Sequence, residues 1–109
     1  MEPRQSLDTL DHAHLAGALR KLRRGDFTVR LPEHGEGVDR EIATLFNEVV
    51  MLNQDMTQEF ERLSMVVGKE GRITQRGRVK SATGSWETGL RAVNELIEDM
   101  VQRPPRSRA

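Results

Sequence analysis

The longest regular pattern of apolar and polar residues lies between Val38 and Val67, a stretch with no glycine or proline. Apolar residues recur there at helical spacing and form one stripe: Ile42, Leu45, Val49, Leu52, Met56, Phe60, Leu63 and Val67. Charged and amide side chains occupy the other faces. The pattern predicts a single amphipathic helix over about residues 39–67. At about 1.5 Å per residue this helix is roughly 43 Å long, so its stripe needs partners outside the helix.

The steps along this stripe alternate between three and four residues, which is typical of a coiled-coil seam. Two consecutive steps of four, from Leu52 to Met56 and from Met56 to Phe60, shift the phase of the seam. We therefore expect two separately packed helical bundles to meet near Met56, with one helix shared by both. The alternative is a plain amphipathic helix whose stripe is irregular.

A shorter helix is predicted before this one, starting near Ser6 to Asp8 and ending at Arg24. Its seam consists of Leu15, Leu19 and Leu22. Gly25 follows as a natural stop. The spacing of His12 and His14 directs them to different faces, and both are expected to be exposed.

Residues 25–38 are predicted to form an extended connector, because glycine and proline recur there and apolar residues alternate with polar ones. The alternating residues are Phe27, Val29 and Leu31, which can bury one side of the segment. Asp39 is a candidate N-cap for the long helix. A connector of this length spans the height of one helix, so the helices on either side of it can lie parallel.

The chain then repeats this arrangement. Gly37 precedes Phe46-Asn47 by the same spacing at which Gly84 precedes Val93-Asn94, an offset of 47 residues. Upstream, Gly25-Asp26-Phe27 is matched by Gly71-Arg72-Ile73 at an offset of 46, so the second connector carries one inserted residue. The repeat predicts unit 1 over 8–56, unit 2 over 57–102 and a basic, disordered tail over 103–109. Predicted elements of unit 2 are a connector over 71–84, anchored by Ile73 and Val79, and a last helix over 85–101 with seam residues Trp86, Leu90, Val93, Ile97 and Met100.

The composition favours narrow helical seams over a large globular core. Hydrophobic residues make up 36% of the 109 residues, and 17 basic residues balance 17 acidic ones. A net charge of zero gives no electrostatic basis for binding nucleic acid. The chain has no cysteine, and no apolar run is long enough to cross a bilayer. We expect a soluble, cytoplasmic chain.

Catalysis is not expected. The three histidines lack the setting of a phosphoacceptor, and Gly68-Lys69-Glu70-Gly71 is not flanked by the strand and helix of a phosphate-binding loop. Neither paired carboxylates nor a nucleophile with its base stands out. We therefore expect no catalytic residue, no metal and no cofactor.

The order of helix, Gly-x-apolar-x-x-x-apolar-Pro connector and second helix resembles a HAMP domain, the relay module of histidine kinases and chemoreceptors. Gly25, Phe27, Leu31 and Pro32 match the connector of that family. Asp39-Arg40-Glu41-Ile42 resembles its acidic motif, and Phe46-Asn47 resembles its Phe-Asn pair. Unit 2 resembles the repeats of cytoplasmic HAMP arrays in hybrid histidine kinases, through Gly71-Arg72-Ile73, Gly84-Ser85-Trp86 and Val93-Asn94. The resemblance covers about residues 8–101.

This sequence departs from the family pattern at several points. Ala43 stands where many HAMP sequences have glycine, and the acidic motif lies closer to the Phe-Asn pair than usual. In unit 2, Ile73 and Val79 are six residues apart instead of four, and no proline follows. By the offset of 46, Gly68 stands at the place of the apolar Leu22.

The resemblance implies an all-α tandem HAMP fold, in which a parallel homodimer forms a four-helix coiled coil from each unit and one continuous helix joins the units. It implies a non-catalytic signal relay in a two-component system, with an upstream sensor or downstream kinase as partner. The candidate signalling and packing residues are Gly25, Phe27, Leu31, Pro32, Glu41, Phe46, Asn47, Met56, Gly71, Ile73, Gly84, Trp86 and Asn94. Two alternatives are a dimerising adaptor coiled coil without signalling and the N-terminal part of a sensor histidine kinase.

Overall fold

The structure, a computed structural model, describes residues 10–102 and is all-α within them. Its elements are α1 (His12–Arg23), α2 (Gly37–Leu63), a π-helical turn (Ser64–Lys69) and α3 (Gly84–Gln102). Residues 24–36, here called connector 1, and residues 70–83, connector 2, contain no helix. No strand occurs within residues 10–102, so the prediction of an all-α fold is confirmed. Residues 103–109, predicted to form a disordered tail, lie outside the described residues.

The chain divides into two compact units between Gln54 and Asp55, a point that lies inside α2. Unit 1 comprises α1, connector 1 and the first part of α2. Unit 2 comprises the end of α2, the π-helical turn, connector 2 and α3. No helix within residues 10–102 combines the length and the apolar character that a membrane span requires.

Helix α1 starts later than the sequence pattern indicates. Asp11 is its N-cap, and the Asp11 carboxylate accepts hydrogen bonds from the N–H groups of Ala13 and His14 at 2.9 and 3.3 Å. The predicted start near Ser6 to Asp8 lies outside the described residues. Because Leu10 and Asp11 are not helical, no single helix runs from there to Arg24. The cap explains the difference, since its carboxylate satisfies the first free N–H groups.

Asp39 is not the N-cap of α2, and that prediction is wrong. The helix begins two residues earlier, at Gly37, whose φ of 64° turns the chain into the helix. Asp39 therefore lies in the first helical turn. Its carboxylate accepts a hydrogen bond from the Leu10 N–H at 3.3 Å, which ties the segment before α1 to the start of α2.

The core of unit 1 takes residues from both helices and from connector 1. Its buried residues are Ala18, Leu31, Ala43, Phe46 and Val50. The three alternating residues of the connector reach this core as predicted: Leu31 is buried, while Phe27 and Val29 are half-buried and pack against the cluster. An extended segment can do this because alternate side chains point the same way.

The core of unit 2 is built mainly from its helices. Leu63, Val67 and Ile97 are buried, and four half-buried residues pack against them: Val66, Ile73, Val93 and Met100. Ile73 thus anchors connector 2 as predicted. Val79 is not part of this cluster, so the prediction of a second anchor at Val79 is wrong, and the reason lies in how Asn94 holds the connector.

Candidate functional site

The side chain of Asn47 fixes connector 1 to α2. Its Oδ1 accepts a hydrogen bond from the Leu31 N–H at 2.7 Å, and its Nδ2 donates to the Leu31 carbonyl at 2.8 Å. Nδ2 also donates to the Glu33 carboxylate at 2.6 Å. Asn47 is the one buried polar side chain among the described residues, and both its oxygen and its nitrogen are satisfied. We call this pairing of an asparagine amide with the backbone of one connector residue a connector latch.

The same latch recurs in unit 2. Asn94 lies 47 residues after Asn47. Its Oδ1 accepts a hydrogen bond from the Gly77 N–H at 2.6 Å, and its Nδ2 donates to the Gly77 carbonyl at 3.0 Å. Because an amide side chain reads only backbone groups here, the latched residue can be of any type.

The latch fixes how the two connectors correspond. Gly77 lies 46 residues after Leu31 and four after Ile73, which is the spacing of Phe27 and Leu31 in unit 1. Gly77, not Val79, is therefore the second anchoring position, and the inserted residue of connector 2 lies between Gly77 and Gly84. Sequence reasoning missed it because it sought an apolar side chain there.

Two arginines brace the connectors in the same manner. The Arg30 Nη1 donates to the backbone carbonyls three residues and one residue before it, at 3.1 and 2.7 Å. The Arg76 Nη1 makes the same two bonds, both at 2.8 Å. The other Nη group of each arginine reaches the helix that follows: Arg30 donates to Gln54 at 3.1 Å, and Arg76 pairs with Glu98. Neither arginine stands out from the apolar pattern of the sequence, although their offset of 46 residues is a signal for them.

The π-helical turn accommodates one extra residue before connector 2. In unit 1 the Asp26 N–H bonds to the carbonyl of Lys21, and in unit 2 the Arg72 N–H bonds to the carbonyl of Val66. The donors are 46 residues apart and the acceptors 45, so one residue has been added between them.

The extra residue lies between Val67 and Gly71, which corrects the correspondence given by the simple offset. The Gly25 N–H bonds to the Leu22 carbonyl, and the Gly71 N–H bonds to the Val67 carbonyl. Val67, which is buried, therefore stands at the position of Leu22. Gly68 therefore does not replace the apolar Leu22; it belongs to residues 68–70, which are one residue longer than the matching segment of unit 1.

With this alignment, the side chains at three corresponding positions around each latch differ in size between the units: where one unit has a large residue, the other has a small one. We call these positions the latch layer. In unit 1 the layer is one large connector residue and two small helical ones: Leu31, Ala18 and Ala43. In unit 2 it is one glycine and two large helical residues: Gly77, Leu63 and Leu90. All six are buried.

The large helical residues of unit 2 occupy the space that a side chain at Gly77 would need. A Cβ at Gly77 would lie 2.8 Å from the Leu63 Cδ1 and 2.9 Å from the Leu90 Cδ1. These separations are too short for carbon atoms, so a side chain at Gly77 would force the two leucine side chains to shift within the core. In unit 1 the alanines leave the corresponding space to Leu31.

The stripe predicted on α2 is largely uncovered in unit 1. Phe46, Val50 and Ala43 face the intrachain core, whereas Leu45 and Val49 are 51% and 45% exposed. Ile42 and Leu52, on the same stripe, are only half-buried. In unit 2 the stripe residues Met56, Leu63 and Val67 are buried, and Phe60 is 39% exposed. The part of α2 that belongs to unit 1 thus carries an apolar stripe at coiled-coil spacing that its own chain does not cover.

The remaining candidate residues occupy distinct places. Gly25 and Gly71 have φ values of 88° and 72° where the helices before the connectors end, and Gly84 has a φ of 56° at the start of α3. Glu41 and Pro32 are exposed, and Trp86 is half-buried. Met56 is buried within an unbroken part of α2, so the backbone irregularity lies at Ser64–Lys69 and not at Met56.

Two carboxylates beside the connectors are held in their charged form. Hydrogen bonds from the Asn47 amide and then the Thr44 hydroxyl lower the pKa of Glu33. The hydrogen bond from Arg62 lowers the pKa of Glu59, and the N–H of Arg78 contributes further. These carboxylates accept hydrogen bonds that organise the connectors.

No group of three or more histidine, aspartate or glutamate side chains within residues 10–102 could hold a metal ion. The arrangement is one of packing and backbone recognition, repeated once. No family model matches this chain, and no solved structure matches it.

Proposed function

We propose that this chain is a non-catalytic relay module built from two HAMP-like units, acting as a parallel homodimer in a two-component pathway. The observation that carries the proposal is the repetition, in both units, of a helix, a connector latched by asparagine and a second helix. The recurrence of the same hydrogen bonds at matching positions supports a specific device, since a simple zipper needs no latched connector.

Self-association is supported by the uncovered stripe on α2. Ile42, Leu45, Val49 and Leu52 are spaced by three, four and three residues, and none of them is buried within its own chain. A seam with this spacing is complementary to a second copy of itself. A net charge of zero adds no repulsion between two copies.

The relay would act through discrete repacking of the helices in each bundle. Packed cores change between alternative arrangements in steps, because side chains interlock and do not deform continuously. α2 contributes residues to both units and is the element through which a change in one bundle would reach the other. An upstream sensor and a downstream kinase domain are the partners that such a module requires.

Self-association is tested by sedimentation equilibrium at micromolar concentration. We expect the wild-type chain to dimerise and Leu45→Glu to weaken dimerisation at least about 100-fold, since the charge would be buried in the seam. Met51→Glu is the matched control, because Met51 is 50% exposed on the same helix but lies off the stripe. A well-folded wild-type monomer would contradict the proposal.

Orientation and signalling need separate experiments. A single cysteine at Val49, in a chain that has none, should crosslink to itself across a parallel dimer. With the chain fused to a histidine kinase, deletion of four residues around Met56 should invert or abolish kinase output. Replacing the exposed Thr57 and Gln58 by alanine keeps the length and should leave output unchanged. Cysteines introduced along both helices of one unit distinguish the alternatives. Crosslinks along one like-with-like seam only, together with unaltered output after the deletion, would favour a plain adaptor coiled coil.

A further inference from the structure

We infer that connector 2 opens locally while the helices of unit 2 stay packed, whereas connector 1 stays closed until unit 1 unfolds. The two connectors differ in their apolar anchors. Connector 1 places three apolar residues on its core: Phe27, Val29 and Leu31. At the corresponding positions connector 2 has Ile73, Gln75 and Gly77, of which only Ile73 is apolar and packs on its core. Beyond Ile73 the apolar side chains of connector 2, Val79 and Ala82, are only half-buried and lie outside the core cluster. Opening this part of the connector therefore exposes no fully buried apolar side chain of the connector itself.

The helices of unit 2 supply the apolar packing that the connector lacks. Leu63 and Leu90 are 5% and 7% exposed, and their Cδ1 atoms converge on Gly77. In unit 1 the corresponding residues are alanines, and removing Leu31 from them would leave a space in the core. The exchange of sizes in the latch layer thus makes the core of unit 2 depend less on side chains of its connector than the core of unit 1 does.

Connector 2 is held instead by polar contacts. Besides the latch from Asn94, the Arg62 Nη2 donates to the Arg76 carbonyl at 2.8 Å, and the Arg78 N–H donates to the Glu59 carboxylate at 2.7 Å. Each such group can bond to water when the connector opens, so the net contribution of each bond is small. Polar contacts position the connector accurately but hold it more weakly than buried apolar side chains would.

Two backbone amides report on the two connectors under matched conditions. The Leu31 N–H and the Gly77 N–H each donate to an asparagine Oδ1, at 2.7 and 2.6 Å. Native-state hydrogen exchange, read by NMR and corrected for intrinsic rates, measures the opening of each. The amides of Val50 and Ile97, in the helical cores of units 1 and 2, serve as references for unfolding of each unit.

We expect the Gly77 amide to exchange about 10- to 100-fold faster than the Ile97 amide, the factor that corresponds to burying one leucine side chain. The Leu31 amide should exchange at nearly the rate of Val50. Exchange of Gly77 within about 3-fold of Ile97, or an equally large separation of Leu31 from Val50, would overturn the inference.

A variant tests the cause. Gln75→Val installs the apolar anchor that connector 1 has at Val29. It also removes the hydrogen bond that the Arg62 Nη1 donates to Gln75 at 3.0 Å, whose net contribution is smaller than that of the apolar anchor. We therefore expect Gln75→Val to slow Gly77 exchange about 3- to 10-fold without affecting Ile97. Thr74→Val is the matched control, because Thr74 is exposed and its neighbour Gln75 is half-buried. Unchanged Gly77 exchange in Gln75→Val, or an equal effect of Thr74→Val, would contradict the apolar-anchor explanation.

Discussion

Asn94 holds Gly77 through both of its amide atoms, one accepting from the glycine N–H and one donating to its carbonyl. The same two bonds join Asn47 to Leu31, a residue of very different size. A bidentate contact with backbone alone explains how one latch serves both connectors. It also explains why asparagine recurs at this position while the residue that it holds changes.

The first prediction concerns removal of the latch in unit 1. Asn47→Ala leaves the N–H and the carbonyl of the buried Leu31 without partners, and we expect it to lower the free energy of unfolding by about 2–4 kcal/mol. Urea unfolding at fixed protein concentration measures the change. Asn53→Ala is the control: Asn53 donates to the Val49 carbonyl at a solvent-exposed site on the same helix, and its loss should cost less than about 0.5 kcal/mol. Equal effects of the two variants would contradict a structural role for the latch.

A second prediction concerns the glycine of the latch layer. Gly77→Ala places a methyl group against Leu63 and Leu90, and we expect destabilisation by about 1–3 kcal/mol from overpacking. Gly89→Ala is the matched control, since nothing lies within 4 Å of a Cβ there and the residue is within α3. That control should stabilise the chain by about 0.5–1 kcal/mol through helix propensity. Gly77→Ala combined with Leu90→Ala should lower the free energy of unfolding by less than the sum of the two single effects, because the shorter side chain leaves room for the new methyl group. Strict additivity of the two effects would argue against a shared space.

The helical pattern and the repeat were sufficient to predict an all-α chain with two non-helical connectors. Periodicity located the helices because their apolar faces are long and regular. It could not locate the second anchor of connector 2, because that position is defined by the absence of a side chain. The size exchange with Leu63 and Leu90 becomes visible only when Asn94 fixes the register and the hydrogen bonds reveal one inserted residue between Val67 and Gly71.

The stripe on α2 shows a second limit of sequence reading. Its spacing predicted an apolar seam, but spacing does not tell which surface covers a seam. In unit 1 the intrachain core uses a different face, with Phe46 and Val50, while Leu45 and Val49 stay largely exposed. The same helix therefore has two apolar faces, and only one of them is satisfied within the chain.

The third prediction concerns the π-helical turn. Deleting Gly68 should convert the turn to regular α-helix and give the segment before connector 2 the same length as the matching segment of unit 1. We expect the free energy of unfolding to fall by less than about 1 kcal/mol. Deleting Gly17 is the control, because α1 has no extra residue there and the deletion rotates Leu15 away from the core. We expect this control to cost about 2 kcal/mol or more. Urea unfolding compares the two deletions, and a larger loss for the Gly68 deletion would show that the turn is required for packing.

The last prediction concerns pH. The hydrogen bond from Arg62 lowers the pKa of Glu59 in the folded chain, so the folded state binds fewer protons than the unfolded state near that pKa. The stabilisation is complete above the ordinary glutamate value of about 4.3 and is lost as the pH falls through the lower folded value. Glu59→Gln removes the charge, and we expect the variant to be less stable than the wild type at pH 7.

The difference between these two chains should shrink as the pH falls below about 4, because protonation removes the same charge from the wild type. Urea unfolding at several pH values measures it. Glu61→Gln is the control, an exposed position on the same helix, and its difference from the wild type should be small at pH 7. A Glu59→Gln difference that stays constant between pH 7 and pH 3 would show that the variant acts through lost packing and not through the charge that binds Arg62.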